Sequence, residues 1–148
     1  MKYEDILLSI KAVADPPAGP TANLANAAAL IKEYMENVNW AGFYLLSGDE
    51  LILGPFCGKV ACVRIARGKG VCGAAVEDNE SKCVPDVFAF PGHIACDADA
   101  RSEVVVPLRD PQGKPIGVLD VDSAEVGRFT DEDVRGLECI AAFVETLL

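Results

Sequence analysis

Long apolar runs are missing from this sequence of 148 residues, although 51% of its residues are hydrophobic. A membrane-spanning helix needs about 20 consecutive apolar residues, and no run approaches that length. The N-terminal stretch carries Glu4 and Asp5 where a secretory signal peptide would carry positive charge. We therefore expect a cytoplasmic protein, and the length predicts one domain with its own hydrophobic core over residues 1–148.

Clusters of basic residues are also missing. The chain has 13 lysines and arginines against 23 acidic residues, which gives a net charge of −10. Nucleic acids and anionic membranes are bound through positively charged surfaces. We therefore expect neither a nucleic acid nor a membrane as a partner.

Closely spaced cysteine pairs are absent. The sequence has six cysteines and one histidine, His93. Structural zinc sites normally contain a C-x-x-C pair, so we expect no metal ion. A zinc site would have to draw on His93 and on the five cysteines in the middle of the chain, namely Cys57, Cys62, Cys72, Cys83 and Cys96. Without a secretory signal, this density of cysteines favours metal or redox chemistry over a structural disulfide framework.

Apolar residues at helical spacing predict two N-terminal helices. The first covers residues 2–14 and ends at Asp15 and two prolines, and the second covers residues 23–38 with Thr21 or Asn23 as its N-cap. Alternating apolar residues then predict two antiparallel hairpins, over residues 40–56 and 103–123, with an additional strand at residues 62–66.

A final amphipathic helix is predicted to begin at Thr130, because Asp133 follows at capping-box spacing. The resulting fold class is α+β, with a central antiparallel sheet flanked by N- and C-terminal helices. Residues 57–103 are poor in regular structure for their length. Long ordered loops of this kind tend to be binding elements.

The glycines of Gly68-x-Gly70-x-x-Gly73 match the dinucleotide-binding fingerprint as a string. The fingerprint requires a parallel strand–helix–strand unit, which the predicted hairpins do not supply. We instead expect a tight turn that leads into a helix N-terminus, where free N–H groups can hold a substrate carboxylate.

Two pairs of residues fall on single strand faces. Asp120 and Asp122 are two residues apart, and Trp40 and Tyr44 are four residues apart. For the acids, the alternatives are an exposed strand end and a pocket wall that needs negative charge or a proton. For the aromatic residues, they are core packing and an aromatic box for a soft or cationic group.

The motifs NWAGFYLL, GPF-x-GKVAC, GKGVCG, PGHIACD, the SE before VVVP and GVLDVDS resemble those of free methionine-(R)-sulfoxide reductases, which are built on a GAF domain. The motifs occur in the same order from about Asn23 to the last helix. The resemblance implies a GAF-like fold with N-terminal helices over about 2–37, sheet and active-site loops over about 39–123, and a C-terminal helix over about 130–147.

The resemblance also implies an activity and its residues. The enzyme would reduce free methionine-(R)-sulfoxide, with thioredoxin as external reductant and no bound cofactor. Cys96 matches the cysteine that attacks the sulfoxide, Cys62 its resolving partner, and Cys72 a third family cysteine of less clear role. The matching pocket residues are Trp40, Tyr44, Glu103, Asp120 and Asp122. Members often form homodimers, which leaves a dimer open here.

Crowded carboxylates cannot all ionise, so one should retain a proton for the sulfoxide oxygen while the others pair with the ammonium of free methionine. The acids around Cys96 predict that its thiol titrates near or above the free value of about 8.5 in the empty enzyme. Cys57 and Cys83 depart from the family pattern and are expected to add thiols near the site. Cys139 is expected to be a core thiol. The alternative function is a GAF-type sensor of a small ligand or of redox state.

Overall fold

Two antiparallel hairpins form the centre of a six-stranded sheet in the computed structural model, which describes residues 2–94 and 99–148. The strands are β1 (Trp40–Ser47), β2 (Glu50–Cys57), β3 (Arg64–Ala66), β4 (Lys82–Val84), β5 (Ser102–Arg109) and β6 (Pro115–Ser123). Their order across the sheet is β3-β2-β1-β6-β5-β4, and each neighbouring pair is antiparallel. Both predicted hairpins are confirmed, and the third predicted strand is shorter than expected.

Four α-helices accompany the sheet: α1 (Tyr3–Val13), α2 (Pro20–Tyr34), α3 (Gly70–Asp78) and α4 (Asp131–Glu145). Short 3-10 turns occupy Pro16–Ala18 and Val87–Ala89. The predicted α+β class is therefore confirmed. No helix in the described ranges has the length and apolar character that crossing a membrane requires.

The two faces of the sheet bury different cores, because successive side chains of a strand point to opposite faces. One face packs against α2 and α4 through residues such as Leu24, Phe43, Leu119 and Leu137, and α1 packs against these two helices. The opposite face packs against α3 and carries Trp40, Tyr44, Val105 and Val118 in its core. The candidate site residues on β1, β5 and β6 belong to this second face.

Helix α2 begins at Pro20, earlier than predicted, and neither Thr21 nor Asn23 is its N-cap. The N-cap is Gly19, whose φ of 92° suits a glycine. The buried Asn23 side chain instead donates to the carbonyls of Asp15 and Gly19 and accepts from the Asp15 N–H. Its amide therefore fixes the loop before the helix, which is why the spacing pattern misplaced the cap.

The predicted capping box of α4 is confirmed. The Thr130 N–H donates to Asp133 Oδ2 at 2.7 Å, and the Asp133 N–H donates to Thr130 Oγ1 at 3.3 Å. Tyr3 lies over Gly136, where a larger residue would collide with its ring, and its hydroxyl donates to Asp133 Oδ1. These contacts attach α1 to the start of α4.

The prediction that Cys139 is a core thiol is wrong, because this residue is exposed. Leu137 and Ile140 face the core. Cys139 is two residues after Leu137, which places it about 200° around the helix and away from that face.

Candidate active site

Three carboxyl groups meet on one face of the sheet. Glu103 on β5 is the cross-strand partner of Asp122 on β6, and Asp120 points to the same face two residues earlier. Their exposed fractions are only 7% for Glu103, 6% for Asp120 and 5% for Asp122. Of the two alternatives for Asp120 and Asp122, the exposed strand end is therefore excluded. The strands instead form a wall of buried acids.

Cys72 on α3 completes this cluster. Its Sγ lies 3.5 Å from Asp120 Oδ2 and 3.9 Å from Glu103 Oε1, in hydrogen-bonding geometry with the thiol as donor. The thiol is itself buried. The helix thus brings a sulfur atom from a distant part of the chain onto the acidic wall.

Glycines allow α3 to begin so close to the sheet. Gly68 and Gly70 have φ values of 82° and 63°, in the left-handed region that other residues avoid. A Cβ at Gly73 would lie 2.8 Å from the Ala66 carbonyl oxygen, which a side chain cannot tolerate. The glycine motif therefore forms a tight turn into a helix N-terminus, as predicted, and not a dinucleotide-binding unit.

Burial favours the protonated forms of Asp120 and Cys72 in this cluster. Burial, followed by the charges of Asp122 and Glu103, raises the pKa of Asp120 well above its usual range. Burial and then the charges of Asp120 and Glu103 likewise raise the pKa of the Cys72 thiol. Among the described groups of the cluster, Asp120 is therefore a carboxyl group whose surroundings favour the protonated form, and Cys72 is a neutral thiol.

Trp40 and Tyr44 lie side by side on β1, with ring centroids 6.2 Å apart. The Trp40 indole N–H donates to the Lys59 carbonyl at 3.0 Å, and the Tyr44 hydroxyl donates to the Cys62 carbonyl at 2.9 Å. Both rings are fully buried. The two aromatic residues thus hold the segment that carries Cys62 against the sheet.

A narrow cleft opens above the acidic wall. Its described lining comprises Tyr44, Ile65, Lys69, Gly70, Val71, Cys72, His93, Ile94, Ala100, Glu103, Asp120 and Asp122. Trp40, beside Tyr44, is not among these lining residues. The space available to the centre of a water molecule is about 30 Å³, room for about two waters. A larger ligand must displace side chains to enter.

Lys69 and His93 bring nitrogen groups to the cleft. Desolvation by burial lowers the pKa of His93, so its imidazole is neutral at pH 7. Lys69 is then the cationic side chain among the described lining residues. We did not predict Lys69 from the sequence, although its position in the GKGVCG turn before α3 was the available signal.

Cys62 and Cys72 lie on the side of the sheet that faces α3. Cys62, beneath the Tyr44 hydroxyl, is disulfide-bonded. The prediction that Cys57 and Cys83 add thiols near the site is wrong. Cys57 packs against the core on the side of α2 and α4, and the Cys83 thiol donates to the Phe129 carbonyl on that same side. Cys96, the predicted attacking cysteine, lies outside the described residues.

Comparisons with known proteins identify the family. A model described as "GAF domain" matches residues 21–148. The chain is 50% identical over 146 residues to the free methionine-R-sulfoxide reductase of Escherichia coli, covering 99% of this chain and 88% of that protein.

Solved structures agree with this sequence match. The free methionine-R-sulfoxide reductase of Neisseria meningitidis, in complex with its substrate, is 43% identical with a TM-score of 0.92 and covers 98% of this chain and 87% of that one. A structure described as a putative GAF sensor protein from Burkholderia vietnamiensis is 48% identical with a TM-score of 0.86, over 96% of this chain and 87% of that one. The chain therefore belongs to the free methionine-R-sulfoxide reductase family of GAF-domain proteins.

Proposed function

We propose that this protein reduces free L-methionine-(R)-sulfoxide to L-methionine. Relatives that carry this name in Escherichia coli and Neisseria meningitidis match nearly the whole chain. The observation that carries the proposal is the buried cluster of Glu103, Asp120 and Asp122 beside the Cys72 thiol. Such a cluster offers negative charge for the ammonium group of free methionine sulfoxide and a proton for its sulfoxide oxygen.

The charged acids of the cluster would recognise the substrate's ammonium group. With Asp120 protonated, Glu103 and Asp122 supply the negative charge in a buried wall where Coulomb attraction is strong. A methionine within a protein has no ammonium group next to its α-carbon. Pairing with this wall would therefore favour the free amino acid over a peptide-bound one.

The substrate carboxylate would bind at the opposite, positive side of the cleft. The N-terminus of α3 presents Gly70 and Val71 to the cleft, and Lys69 lies directly before them. Free N–H groups at a helix N-terminus favour anions, and a lysine adds a full positive charge. The cleft would thus hold the two charged ends of the amino acid on two different elements.

Asp120 would supply the proton that activates the sulfoxide. Protonation or strong hydrogen bonding of the oxygen makes the sulfur electrophilic, and a carboxyl group kept neutral by burial can do this at pH 7. Tyr44 lines the cleft, and Trp40 packs beside it. Once substrate widens the cleft, these rings would contact the S-methyl group and stabilise its developing positive charge.

The covalent steps follow thiol chemistry. The Cys96 thiolate attacks the sulfur, the oxygen passes to Cys96, and methionine leaves, so that sulfoxide plus thiol becomes sulfide plus sulfenic acid. The Cys62 thiol then condenses with the sulfenic acid to give a disulfide and water. A dithiol such as thioredoxin reduces this disulfide and is itself oxidised. No bound cofactor takes part in these steps.

Cys72 would serve as a hydrogen-bond donor and not as a nucleophile. The raised pKa of its buried thiol leaves almost no thiolate at neutral pH, and only the thiolate is nucleophilic. Its sulfur lies within 3.5 Å of Asp120 Oδ2. Cys72 would therefore position the carboxyl group that protonates the sulfoxide.

Thioredoxin-coupled NADPH consumption tests the proposal. Free methionine-(R)-sulfoxide, its S epimer and a peptide methionine sulfoxide are compared at equal concentration. We expect turnover of the free R epimer and background rates for the other two. No turnover of the free R epimer with any dithiol reductant would overturn the proposal and leave the redox or ligand sensor, which the relative described as a sensor favours.

Location and assembly follow from the proposed chemistry. Recycling needs a supply of reduced dithiol, so we place the protein in the cytoplasm.

A homodimer is a further proposal, and the exposed side chains of Leu8 and Val13 on α1 are apolar surface that it would cover. Sedimentation velocity over a concentration series measures the state, and a monomer at every concentration would contradict the dimer.

A further inference from the structure

Three different elements bring soft and hard donor atoms to one point. The Cys72 sulfur, a carboxylate oxygen of Glu103 and one of Asp120 all lie within 4.8 Å of one another. Each of the three residues is more than nine-tenths buried. They lie on α3, β5 and β6, far apart in the sequence, so no sequence motif predicts this arrangement.

The distances match tetrahedral coordination of zinc. Bonds of about 2.3 Å to sulfur and about 2.0 Å to oxygen at the tetrahedral angle place sulfur and oxygen roughly 3.5–3.6 Å apart. The Cys72 sulfur is 3.5 Å from Asp120 Oδ2 and 3.9 Å from Glu103 Oε1. Shifts of a few tenths of an ångström would therefore suffice to fit three ligands around one ion.

An unused oxygen also points to a ligand. Asp120 Oδ1 is buried and forms no hydrogen bond with any described residue, although burying an unpaired polar atom is costly. The other oxygen of this carboxyl group, Asp120 Oδ2, lies 3.5 Å from the Cys72 thiol. An ammonium group gains nothing from the thiol, whereas thiolate ligands select soft and borderline cations such as Zn²⁺ over Mg²⁺ or Ca²⁺.

We infer that Cys72, Glu103 and Asp120 form a binding site for a thiophilic divalent cation, with Zn²⁺ as the representative ion, and that this ion competes with the substrate. On binding, the Cys72 thiol and the Asp120 carboxyl group release their protons to water, the ion loses bound waters, and three metal–ligand bonds form without redox change. The fourth position faces the cleft and keeps a water. The ion occupies the place of the substrate's ammonium and is thus a reversible inhibitor; this last step rests on the proposed function.

Cobalt binding tests the site independently of activity. The disulfide-oxidised full chain is titrated with Co²⁺, which reports thiolate ligation by a charge-transfer band in the near ultraviolet. Cys62 is disulfide-bonded in that form and cannot contribute. We expect a band with one equivalent of Co²⁺, its loss in Cys72→Ser, and at least about tenfold weaker binding in that variant.

Matched variants separate this site from other thiols. Cys83→Ser and Cys139→Ser remove exposed free thiols outside the cluster and should leave the band unchanged. Glu103→Gln keeps the thiol and the size of the side chain and should weaken Co²⁺ binding with the band still present. Glu103→Gln also covers the case in which Cys72→Ser does not fold. A band that persists in Cys72→Ser or disappears in Cys83→Ser would overturn the inference.

Competition shows whether metal and amino acid share the cleft. Free methionine, the proposed product, should displace Co²⁺ from the oxidised protein, and Zn²⁺ should raise the apparent KM for the sulfoxide with kcat unchanged. Methionine that leaves the band unaltered would overturn the shared site. Absence of turnover with the cobalt band intact would instead refute the proposed function and leave the metal site standing.

Discussion

Cys72 Sγ lies 3.5 Å from Asp120 Oδ2 on the buried wall of the cleft, and the pKa of each group is raised. Burial alone disfavours the charged form of each, and their mutual proximity adds to the effect. A thiol beside a carboxyl group in this state is unsuited to nucleophilic attack. It is suited to holding a neutral acid in a fixed orientation.

Asp120→Asn should lower kcat/KM for free methionine-(R)-sulfoxide by about 10²- to 10⁴-fold, the usual contribution of a general acid. Asparagine retains the shape and an acceptor for the Cys72 thiol but has no transferable proton. Coupled NADPH consumption gives the rate. Asp49→Asn, at an exposed turn between β1 and β2, is the matched control and should be unaffected. Equal rates for the two variants would remove Asp120 from the acid role.

The same carboxyl group predicts how activity depends on pH. In the proposed mechanism the protonated form of Asp120 is the active one. Because the pKa of Asp120 is raised, we expect its contribution below that pKa and its loss as pH rises through it. The alkaline limb of the profile of single-turnover rate against pH should therefore disappear in Asp120→Asn. An identical alkaline limb in both proteins would assign the titration to another group.

Asp120→Asn should raise stability although it lowers activity. An unfolded aspartate titrates near about 3.9, so between that value and the raised pKa the folded state binds more protons and stability falls as pH rises. At pH 7, Asp120→Asn removes the free-energy cost of burying a carboxyl group that ionises more easily in the unfolded chain. The substitution should therefore raise the Tm by roughly 2–4 °C for each kcal/mol of stability gained. Thermal unfolding at pH 7 and pH 4 measures it, and the gain should be smaller at pH 4.

Strand periodicity in the sequence predicted much of the acidic wall of the cleft and much of the protein's fold. Asp120 with Asp122, and Trp40 with Tyr44, share the cleft-facing side because they are separated by even numbers of residues. Both hairpins and the α4 capping box also depend on local patterns. Cys72 could not be placed in this way, because its contact with Asp120 joins residues 48 positions apart. Cys57 and Cys83 were misplaced because sequence proximity to the site says nothing about which face a strand residue occupies.

The cysteine roles predict two distinct kinetic defects. Cys96→Ser should abolish even a single turnover, because no thiolate remains to accept the oxygen. Cys62→Ser should release one equivalent of methionine and then stop, because the sulfenic acid has no resolving thiol. Quenched-flow measurement of methionine per enzyme distinguishes them. Cys57→Ser and Cys83→Ser are the controls and should turn over normally, because both residues lie on the side of the sheet that faces α2 and α4. Identical defects in Cys96→Ser and Cys62→Ser would contradict the assigned roles.

Trp40→Phe should reduce rate as well as affinity. The indole N–H would no longer donate to the Lys59 carbonyl, and a smaller ring leaves a gap beside Tyr44 and Phe56. A contact that strengthens as positive charge develops on sulfur affects kcat, whereas simple packing affects KM alone. Phe43→Leu, on the opposite face of β1, should lower stability without changing kcat. An effect of Trp40→Phe confined to KM would contradict the transition-state role.

Tyr44→Phe should slow disulfide formation more than methionine release. The Tyr44 hydroxyl donates to the Cys62 carbonyl at 2.9 Å and so fixes the backbone that presents the resolving thiol. The ring that lines the cleft is retained in phenylalanine. A hydrogen bond of about 0.5–1.5 kcal/mol corresponds to roughly a two- to tenfold slower resolving step. Quenched-flow samples divided between methionine analysis and thiol trapping give both rates from one experiment. Tyr34→Phe, a half-buried tyrosine at the end of α2, is the control and should change neither rate. Equal slowing of both steps in Tyr44→Phe would show that the hydroxyl acts on substrate and not on the segment that carries Cys62.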